Sequence, residues 1–421
     1  MSSAFLFALL GGLVVLAFAA NRLFRLTRVP DVIVLMATGL LLGPTFGLVH
    51  ASQFQPVTHA FGTLAVILIL FEGGLDLDLR STLRHFPGGI LLSFLAYAFS
   101  LFIIALVMRW SMNMPLPMAL ITGAVLACTS SSITLPVLQQ IKASASARVT
   151  MLLDASLSDT FAILTVGVVL DLGSRSGQVA LRFLGQAVFV VLTALILAGF
   201  AAVVWTYLLP RLSERRFWNV LTLSAVLLLY AGAERIGVSG LITVLCFGVF
   251  LANFRRLDLS VLEGVLGFKP VGDEHHAQVV SFHAELAFLI RTFFFVLLGV
   301  VVEYSALVKY IPQVLGLIGA IILARALAVG ASSWSWKGFQ PGEHEVVFLI
   351  MPRGLITVVL ALQVVQARGD AFSFLPPVAF ATILITNLML ILGTIRAARL
   401  AVPPGEAKPE HDKSTSQAIV N

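Results

Sequence analysis

Runs of apolar residues dominate the chain, and short polar clusters separate them. Most runs are roughly twenty residues long, which is the length that a helix needs to cross the hydrocarbon core of a bilayer. The runs lack the strict alternation of membrane β-barrel strands, so the pattern predicts an all-α polytopic membrane protein. Thirteen segments are predicted to span the membrane: residues 3–21, 31–49, 58–76, 88–108, 116–140, 150–170, 179–207, 217–233, 237–253, 280–302, 305–330, 343–366 and 373–395.

Composition supports a membrane protein. Hydrophobic residues make up 59% of the 421 residues and charged residues only 11%. A soluble domain carries about a quarter charged residues, and a disordered chain has few apolar ones, so both classes are excluded. Cys128 and Cys246 lie inside apolar runs, which excludes a disulfide framework and a cysteine-based metal site.

The basic residues predict an orientation. With the N-terminus outside, 18 of the 27 Lys and Arg residues fall in inner loops or the tail, and 6 in outer loops or their margins. This excess follows the positive-inside rule. We predict one membrane domain over 1–400 and a short, disordered cytoplasmic tail over 401–421. The compact loops are typical of a bacterial inner (plasma) membrane protein, and the first segment is interpreted as a retained span because no basic residue precedes it.

A short internal similarity suggests a repeat. Residues 38–43 in the second segment resemble residues 247–252 in the ninth. The offset of seven segments is odd, so the two copies would have opposite orientations. Inverted repeats build many secondary transporters, although strings of glycine and apolar residues also recur by chance.

Charged side chains at membrane depth point to function, because each costs roughly 2.5–3.5 kcal/mol to insert at the bilayer centre. Asp159 stands near the middle of the sixth segment, directly after Ser158. Withdrawal from water disfavours a charged carboxylate, so such a group can hold either a proton or a small cation. The alternative is a structural ion pair. Asp154 lies five residues earlier, about 140° away around a helix, which favours a separate, structural role.

Two segments carry helix-breaking sequences near their middles. The fifth contains a hydroxyl run over 129–132 and then Pro136, and the twelfth contains Pro352, Arg353 and Gly354 in succession. Proline removes a backbone donor, and a broken helix exposes oxygens that suit hard cations. We predict two broken helices that cross at the membrane centre, with Arg353 neutralising helix C-termini or pairing with a carboxylate. The alternative for the hydroxyl run is helix packing.

Three further charges lie in the apolar segments. Arg291 in the tenth segment needs a counter-ion or water. Glu72 stands toward the inner end of the third segment, where it could reach a water-filled funnel. Arg325, near the inner end of the eleventh segment, is predicted to extend its charge toward the membrane surface.

Six strings together resemble those of the monovalent cation–proton antiporters, that is, the prokaryotic type of sodium/hydrogen exchanger family. They fall between the second and thirteenth segments, in this order: 39–44, 71–77, 129–130, 154–159, 291–295 and 353–354. The resemblance implies a sodium/proton antiporter fold with an inverted repeat, two crossed broken helices in a moving six-helix core, and a homodimer.

The resemblance also implies roles for single residues. Asp159 is similar to the aspartate that carries both the cation and the proton, and Thr129 and Ser158 are similar to its oxygen ligands. Glu72 is similar to an accessory acid of the family.

Three other charges and two departures complete the comparison with the family. Asp154 and Arg353 resemble a core salt bridge, and Arg291 resembles a basic residue that competes for the carrier aspartate in the unloaded state. The electroneutral branch of that family usually has Thr-Asp and Asn-Asp where this chain has Thr129-Ser130 and Ser158-Asp159. The predicted ion and proton site therefore comprises one core aspartate with unusual neighbours, Ser130 among them.

We therefore predict a secondary antiporter, not an enzyme, that exchanges Na⁺ or K⁺ for H⁺ by alternating access. One core carboxylate predicts one cation per proton and electroneutral exchange. The expected partners are the two ions, the lipid bilayer and a second copy of the chain, with no cofactor and no nucleic acid. The alternative is a proton- or sodium-coupled transporter of an organic anion, in which Arg291 and Arg353 hold the anion.

Overall fold

The structure is a computed structural model. It describes residues 3–27, 29–49, 55–75, 79–141, 143–172, 179–212, 217–253, 273–302, 304–336 and 339–400. The predicted tail at 401–421 lies outside the described residues.

Helices of very different length make up the regular structure of the described chain. A π-helical turn, Leu41–Thr45, continues α2. The α-helices, in chain order, are α1 (Ser3–Thr27), α2 (Asp31–Leu40), α3 (Gln55–Leu75), α4 (Leu79–Ser111), α5 (Leu116–Leu126), α6 (Ser131–Gln140), α7 (Ala145–Leu172), α8 (Val179–Leu212), α9 (Trp218–Arg235), α10 (Gly240–Asn253), α11 (Asp273–Val301), α12 (Tyr304–Lys309), α13 (Ile311–Ser332), α14 (Glu343–Leu349), α15 (Leu355–Arg368) and α16 (Leu375–Leu400).

The helices follow the predicted segments closely. Each of the thirteen segments contains one helix or two. The two segments predicted to break split into α5 and α6 and into α14 and α15, and the eleventh segment, which was not predicted to break, also holds two helices, the short α12 and α13. Pro136 falls inside α6 rather than at the first break. Eight described helices are long and apolar enough to cross a bilayer, namely α1, α4, α7, α8, α11, α13, α15 and α16. The count of thirteen spans stays a prediction.

Two close helix contacts fit the predicted repeat. A Cβ atom on Gly39 of α2 would lie 2.1 Å from the carbonyl oxygen of Val296 in α11. A Cβ atom on Gly248 of α10 would lie 2.6 Å from the carbonyl oxygen of Phe71 in α3. Both distances are too short for any side chain, so glycine is required at both positions. Gly39 and Gly248 are the second residues of the two similar strings, 38–43 and 247–252.

Large apolar side chains face outward, as expected of a surface that contacts lipid. Phe7 on α1 is 70% exposed, Phe200 on α8 is 68% exposed and Leu228 on α9 is 73% exposed. Extended apolar surfaces of this kind are rare on soluble monomers. The chain is therefore a membrane protein.

Candidate functional site

The two helix breaks meet at the centre of the molecule. The chain leaves helical geometry over 127–130 between α5 and α6, and over 350–354 between α14 and α15. The backbone N–H of Ser130 donates to the carbonyl oxygen of Pro352 at 2.8 Å. A Cβ atom on Gly354 would lie 2.1 Å from the Oγ of Ser130, so the crossing requires glycine at 354.

Polar side chains of the next helix satisfy each break, because a broken helix leaves backbone groups without helical partners. At the first break, the Ser158 hydroxyl on α7 accepts from the Thr129 N–H at 3.0 Å. It also lies 3.1 Å from the Thr129 carbonyl oxygen. At the second break, Thr386 Oγ1 accepts from the Arg353 N–H at 3.1 Å, and Asn387 Nδ2 donates to the Arg353 carbonyl oxygen at 3.0 Å. The sequence reasoning missed Thr386 and Asn387, whose signal is two adjacent polar residues inside the thirteenth apolar segment.

Asp159 lies beside the first break and is 1% exposed. Its Oδ2 accepts two hydrogen bonds from Ser131, from the backbone N–H at 3.2 Å and from the hydroxyl at 2.7 Å. Its Oδ1 is buried and accepts no hydrogen bond from the described residues. Ser131 is the first residue of α6, so Asp159 also faces the positive end of a short helix. The sequence analysis placed Ser131 in the hydroxyl run over 129–132 but assigned Ser130, not Ser131, to the ion site.

Arg353 is 2% exposed and donates to two hydroxyl groups. Its Nη1 lies 3.2 Å from Thr129 Oγ1, and its Nη2 lies 3.5 Å from Ser100 Oγ. Among the described side chains, no carboxylate lies within ion-pair distance of it. Arg353 thus brings an unpaired positive charge to the crossing, and it interacts electrostatically with Asp159.

The predicted salt bridge between Asp154 and Arg353 is wrong. Asp154, 1% exposed, pairs with Arg325, whose Nη1 lies 2.6 Å from Asp154 Oδ2. Arg325 was predicted to reach toward the membrane surface, but it is only 3% exposed. Its guanidinium also donates to the carbonyl oxygens of Val347 and Ile350. These carbonyls end α14 without helical partners, and they draw the side chain inward.

Arg291 and Glu72 lie on the neighbouring helices α11 and α3. Arg291 Nη2 lies 3.5 Å from Oδ2 of Asp31, the first residue of α2, and each side chain is 13% exposed. Asp31 was not singled out by the sequence reasoning. Glu72 is partly buried and follows Phe71, whose ring packs against His283. Roles for Arg291 and Glu72 in ion exchange stay predictions.

The geometry suits a small monovalent cation or a proton. A buried carboxylate oxygen without a hydrogen bond can bind either one, and hydroxyl and carbonyl oxygens of Thr129 and Ser158 lie at the same break. The described residues contain no group of three or more His, Cys, Asp or Glu that could hold a metal ion. The site therefore has one carboxylate and neutral oxygens, which are ligands for a weakly bound, exchangeable hard cation.

Comparisons with known proteins agree with this geometry. A family model described as sodium/hydrogen exchanger, transmembrane, matches residues 12–400. The chain is similar to Na⁺/H⁺ antiporter 1 from Methanocaldococcus jannaschii, with 24% identity over 96% of this chain and 97% of that protein. It is also similar to the K⁺/H⁺ antiporter NhaP2 from Shewanella sp. strain MR-4, with 23% identity over 89% of this chain but 64% of that protein.

A solved structure confirms the fold. The sodium proton antiporter MjNhaP1 from Methanocaldococcus jannaschii superimposes with a TM-score of 0.73, covering 95% of this chain and 97% of that one at 22% identity. The predicted antiporter fold with broken helices is therefore confirmed, although the exact number of spans is not.

Proposed function

The chain belongs to the sodium/hydrogen exchanger family, a family of transporters rather than enzymes, and from that premise we propose that it exchanges Na⁺ or K⁺ for H⁺. The exchange would proceed by alternating access, with Asp159 as the carrier of both ions. One observation carries the proposal: Asp159 Oδ1 is buried at the crossing of the two broken helices and accepts no hydrogen bond from the described residues. A proton and a cation would compete for that one oxygen.

The coupling follows from the cost of burying an unsatisfied anion. An anionic Asp159 without a ligand on Oδ1 is costly to move through a region shielded from water. The core would therefore move when Asp159 holds a cation or a proton, and it would resist moving when Asp159 holds neither. One carrier carboxylate predicts one cation for one proton, so the exchange would be electroneutral. Thr129 and Ser158 would supply neutral oxygen ligands, and Glu72 would act as an accessory acid.

The finer features of the proposal rest on the sequence. We propose that the protein works as a homodimer in a bacterial inner membrane, with its N-terminus outside, its C-terminus in the cytoplasm and no cofactor. The bias of basic residues toward one side of the predicted segments supports this orientation.

The alternative function, transport of an organic anion, predicted that Arg291 and Arg353 hold the anion. Their surroundings do not support that role. Arg291 is paired with Asp31, and Arg353 is 2% exposed and bonded to hydroxyl groups.

A vesicle assay tests the proposal. The purified protein is reconstituted with a trapped pH dye, a pH gradient is imposed, and Na⁺, K⁺ or Li⁺ is added with and without a clamped membrane potential. We expect one cation to collapse the gradient independently of the potential, and we expect Asp159→Asn to abolish the response while the protein still folds. Exchange by Asp159→Asn would refute the carrier assignment. A silent wild-type protein would favour the organic-anion alternative.

A further inference from the structure

Resting on this proposed function, we propose that Ser131 is the positioning residue that orients Asp159 and sets the balance between proton and cation on it. The sequence pattern places Ser131 in the hydroxyl run over 129–132 but does not assign it a role of its own. It does not need to touch the transported ion. It acts through the carboxylate that does.

The geometry gives Ser131 control of one oxygen of the carboxylate. Its N–H and its hydroxyl both donate to Oδ2 of Asp159, at 3.2 Å and 2.7 Å. Within the described residues, these are the hydrogen bonds that Asp159 accepts. Two donors on Oδ2 fix the rotation of the carboxyl group, and Oδ1 is left as the oxygen that can bind a proton or a cation.

The position of Ser131 on its helix explains why it has both donors. Ser130 precedes α6 with extended backbone angles, φ −79° and ψ 119°. Ser131 is the first helical residue, so its N–H has no partner within α6 and is free to bond Asp159. Any residue except proline would supply that N–H, but only a hydroxyl residue adds the second, shorter bond.

Other charged and titratable groups also influence Asp159. Cys128 and Arg353 stand in the two breaks and act on Asp159 electrostatically, and Asp154 lies on its own helix in a pair with Arg325. Among the described residues, Tyr97 of α4 is a further titratable group beside α7. Its ring centroid lies 5.8 Å from that of Phe161, and its hydroxyl donates to the Ala124 carbonyl oxygen. Substitutions at Ser131 leave all of these groups in place, so a change in proton binding can be assigned to the lost bonds.

The two bonds to Oδ2 favour the anion over the protonated acid, because N–H and O–H donors stabilise a charged acceptor more than a neutral one. Removing them should let Asp159 keep its proton at higher pH. The pH at which exchange is half-maximal should then rise, since a cation can bind only after the proton has left.

Four variants separate this role from a merely structural one. Ser131→Ala removes the hydroxyl bond alone. Ser131→Pro removes both bonds and suits the backbone, because proline is favoured at the first helical position and Ser130 already has the extended conformation that precedes proline. Ser131→Thr keeps both bonds. Thr134→Val is the matched control on α6, since the buried Thr134 hydroxyl has no partner among the described residues.

The measurement is the pH profile of exchange in vesicles, with the midpoint compared at a fixed cation concentration. We expect the midpoint to rise by about one pH unit in Ser131→Ala and further in Ser131→Pro. Ser131→Thr and Thr134→Val should keep the wild-type midpoint. Unchanged midpoints in both Ser131→Ala and Ser131→Pro would overturn the proposal.

A second readout does not depend on transport. Infrared difference spectra of the purified protein follow the protonated-carboxyl band of Asp159, which Asp159→Asn identifies by its loss. The band should persist to higher pH in Ser131→Ala and Ser131→Pro than in the wild type, and an identical titration would overturn the proposal. If the wild type exchanges no cation, the proposed function fails, and this titration still decides the role of Ser131. If Ser131→Ala or Ser131→Pro fails to fold, the remaining one of the two serves in both measurements.

Discussion

Replacing Arg325 with alanine should destabilise the protein strongly, because this side chain connects two elements of the core. Its Nη1 lies 2.6 Å from Asp154 Oδ2 on α7. Its Nε and Nη2 donate to the Val347 carbonyl oxygen at 3.1 and 2.8 Å, and Nη2 also donates to the Ile350 carbonyl oxygen at 3.1 Å. The substitution removes a buried ion pair and leaves two carbonyl groups at the end of α14 without these donors.

The magnitude follows from burial. Removing one partner of a buried ion pair costs about 3–5 kcal/mol, because the other charge is left uncompensated. Each buried carbonyl that loses its donor adds about 1 kcal/mol. We therefore expect Arg325→Ala to lower the free energy of unfolding by about 5 kcal/mol, and Asp154→Ala by about 3 kcal/mol, since the carbonyl bonds of Arg325 survive in the second variant.

A double-mutant cycle tests the pairing. Unfolding in mixed micelles is followed by tryptophan fluorescence as denaturing detergent is added, for the wild type, both single variants and the double variant. The double variant should cost roughly 2–3 kcal/mol less than the sum of the single variants, because neither charge is then left alone. A second cycle with Asp154→Ala and Arg353→Ala should be much closer to additive. Additive costs in the first cycle, or stronger coupling in the second, would refute the assignment of Arg325 as the partner.

Two further substitutions test the crossing itself. Gly354→Ala would place a Cβ atom 2.1 Å from Ser130 Oγ, so it should cost about 3 kcal/mol of stability and stop exchange. Gly167→Ala on α7 has nothing within 4 Å of its Cβ position, so as the control it should lower neither stability nor exchange. If both variants unfold at the same temperature, the close crossing is contradicted. Asn387→Leu removes the donor to the Arg353 carbonyl oxygen and should cost about 1–3 kcal/mol in the same measurement, whereas wild-type stability would show that the second break does not depend on it.

The pattern of the sequence predicts the scaffold well, for a physical reason. In a bilayer every backbone polar group must find a partner inside the protein, so long apolar runs have helices as their main solution. Breaks then stand out, because Pro352 and Gly354 cannot continue a helix without cost. A related rule singles out Asp159 as a candidate site residue, since an ionisable residue at that depth is costly unless it has a role.

The partners of the polar residues could not be predicted, because they depend on small rotations that the pattern does not contain. Four hydroxyl residues follow one another at 129–132, and which of them faces Asp159 depends on where α6 begins. Arg325 was placed near the end of its segment. The helix α13 ends at Ser332, close to the predicted end at 330, so the position along the helix was nearly right. The pattern could not show that the side chain turns toward Asp154 and the Val347 carbonyl oxygen rather than toward the membrane surface.

The two breaks have the same scaffold and opposite chemistry, and the site depends on that difference. Ser158 bonds the N–H and carbonyl of Thr129, and Thr386 and Asn387 bond the N–H and carbonyl of Arg353. Beside the first break, Ser158 on α7 is followed by a carboxylate, Asp159. Beside the second break, α16 supplies the neutral hydroxyl and amide groups of Thr386 and Asn387, and the break itself carries the guanidinium of Arg353. The crossing therefore holds one negative and one positive group about a common centre. Because Arg353 bonds hydroxyl groups rather than Asp159, its charge lowers the cost of burying the carboxylate without occupying Oδ1. Oδ1 of Asp159 thus stays available to bind a proton or a cation.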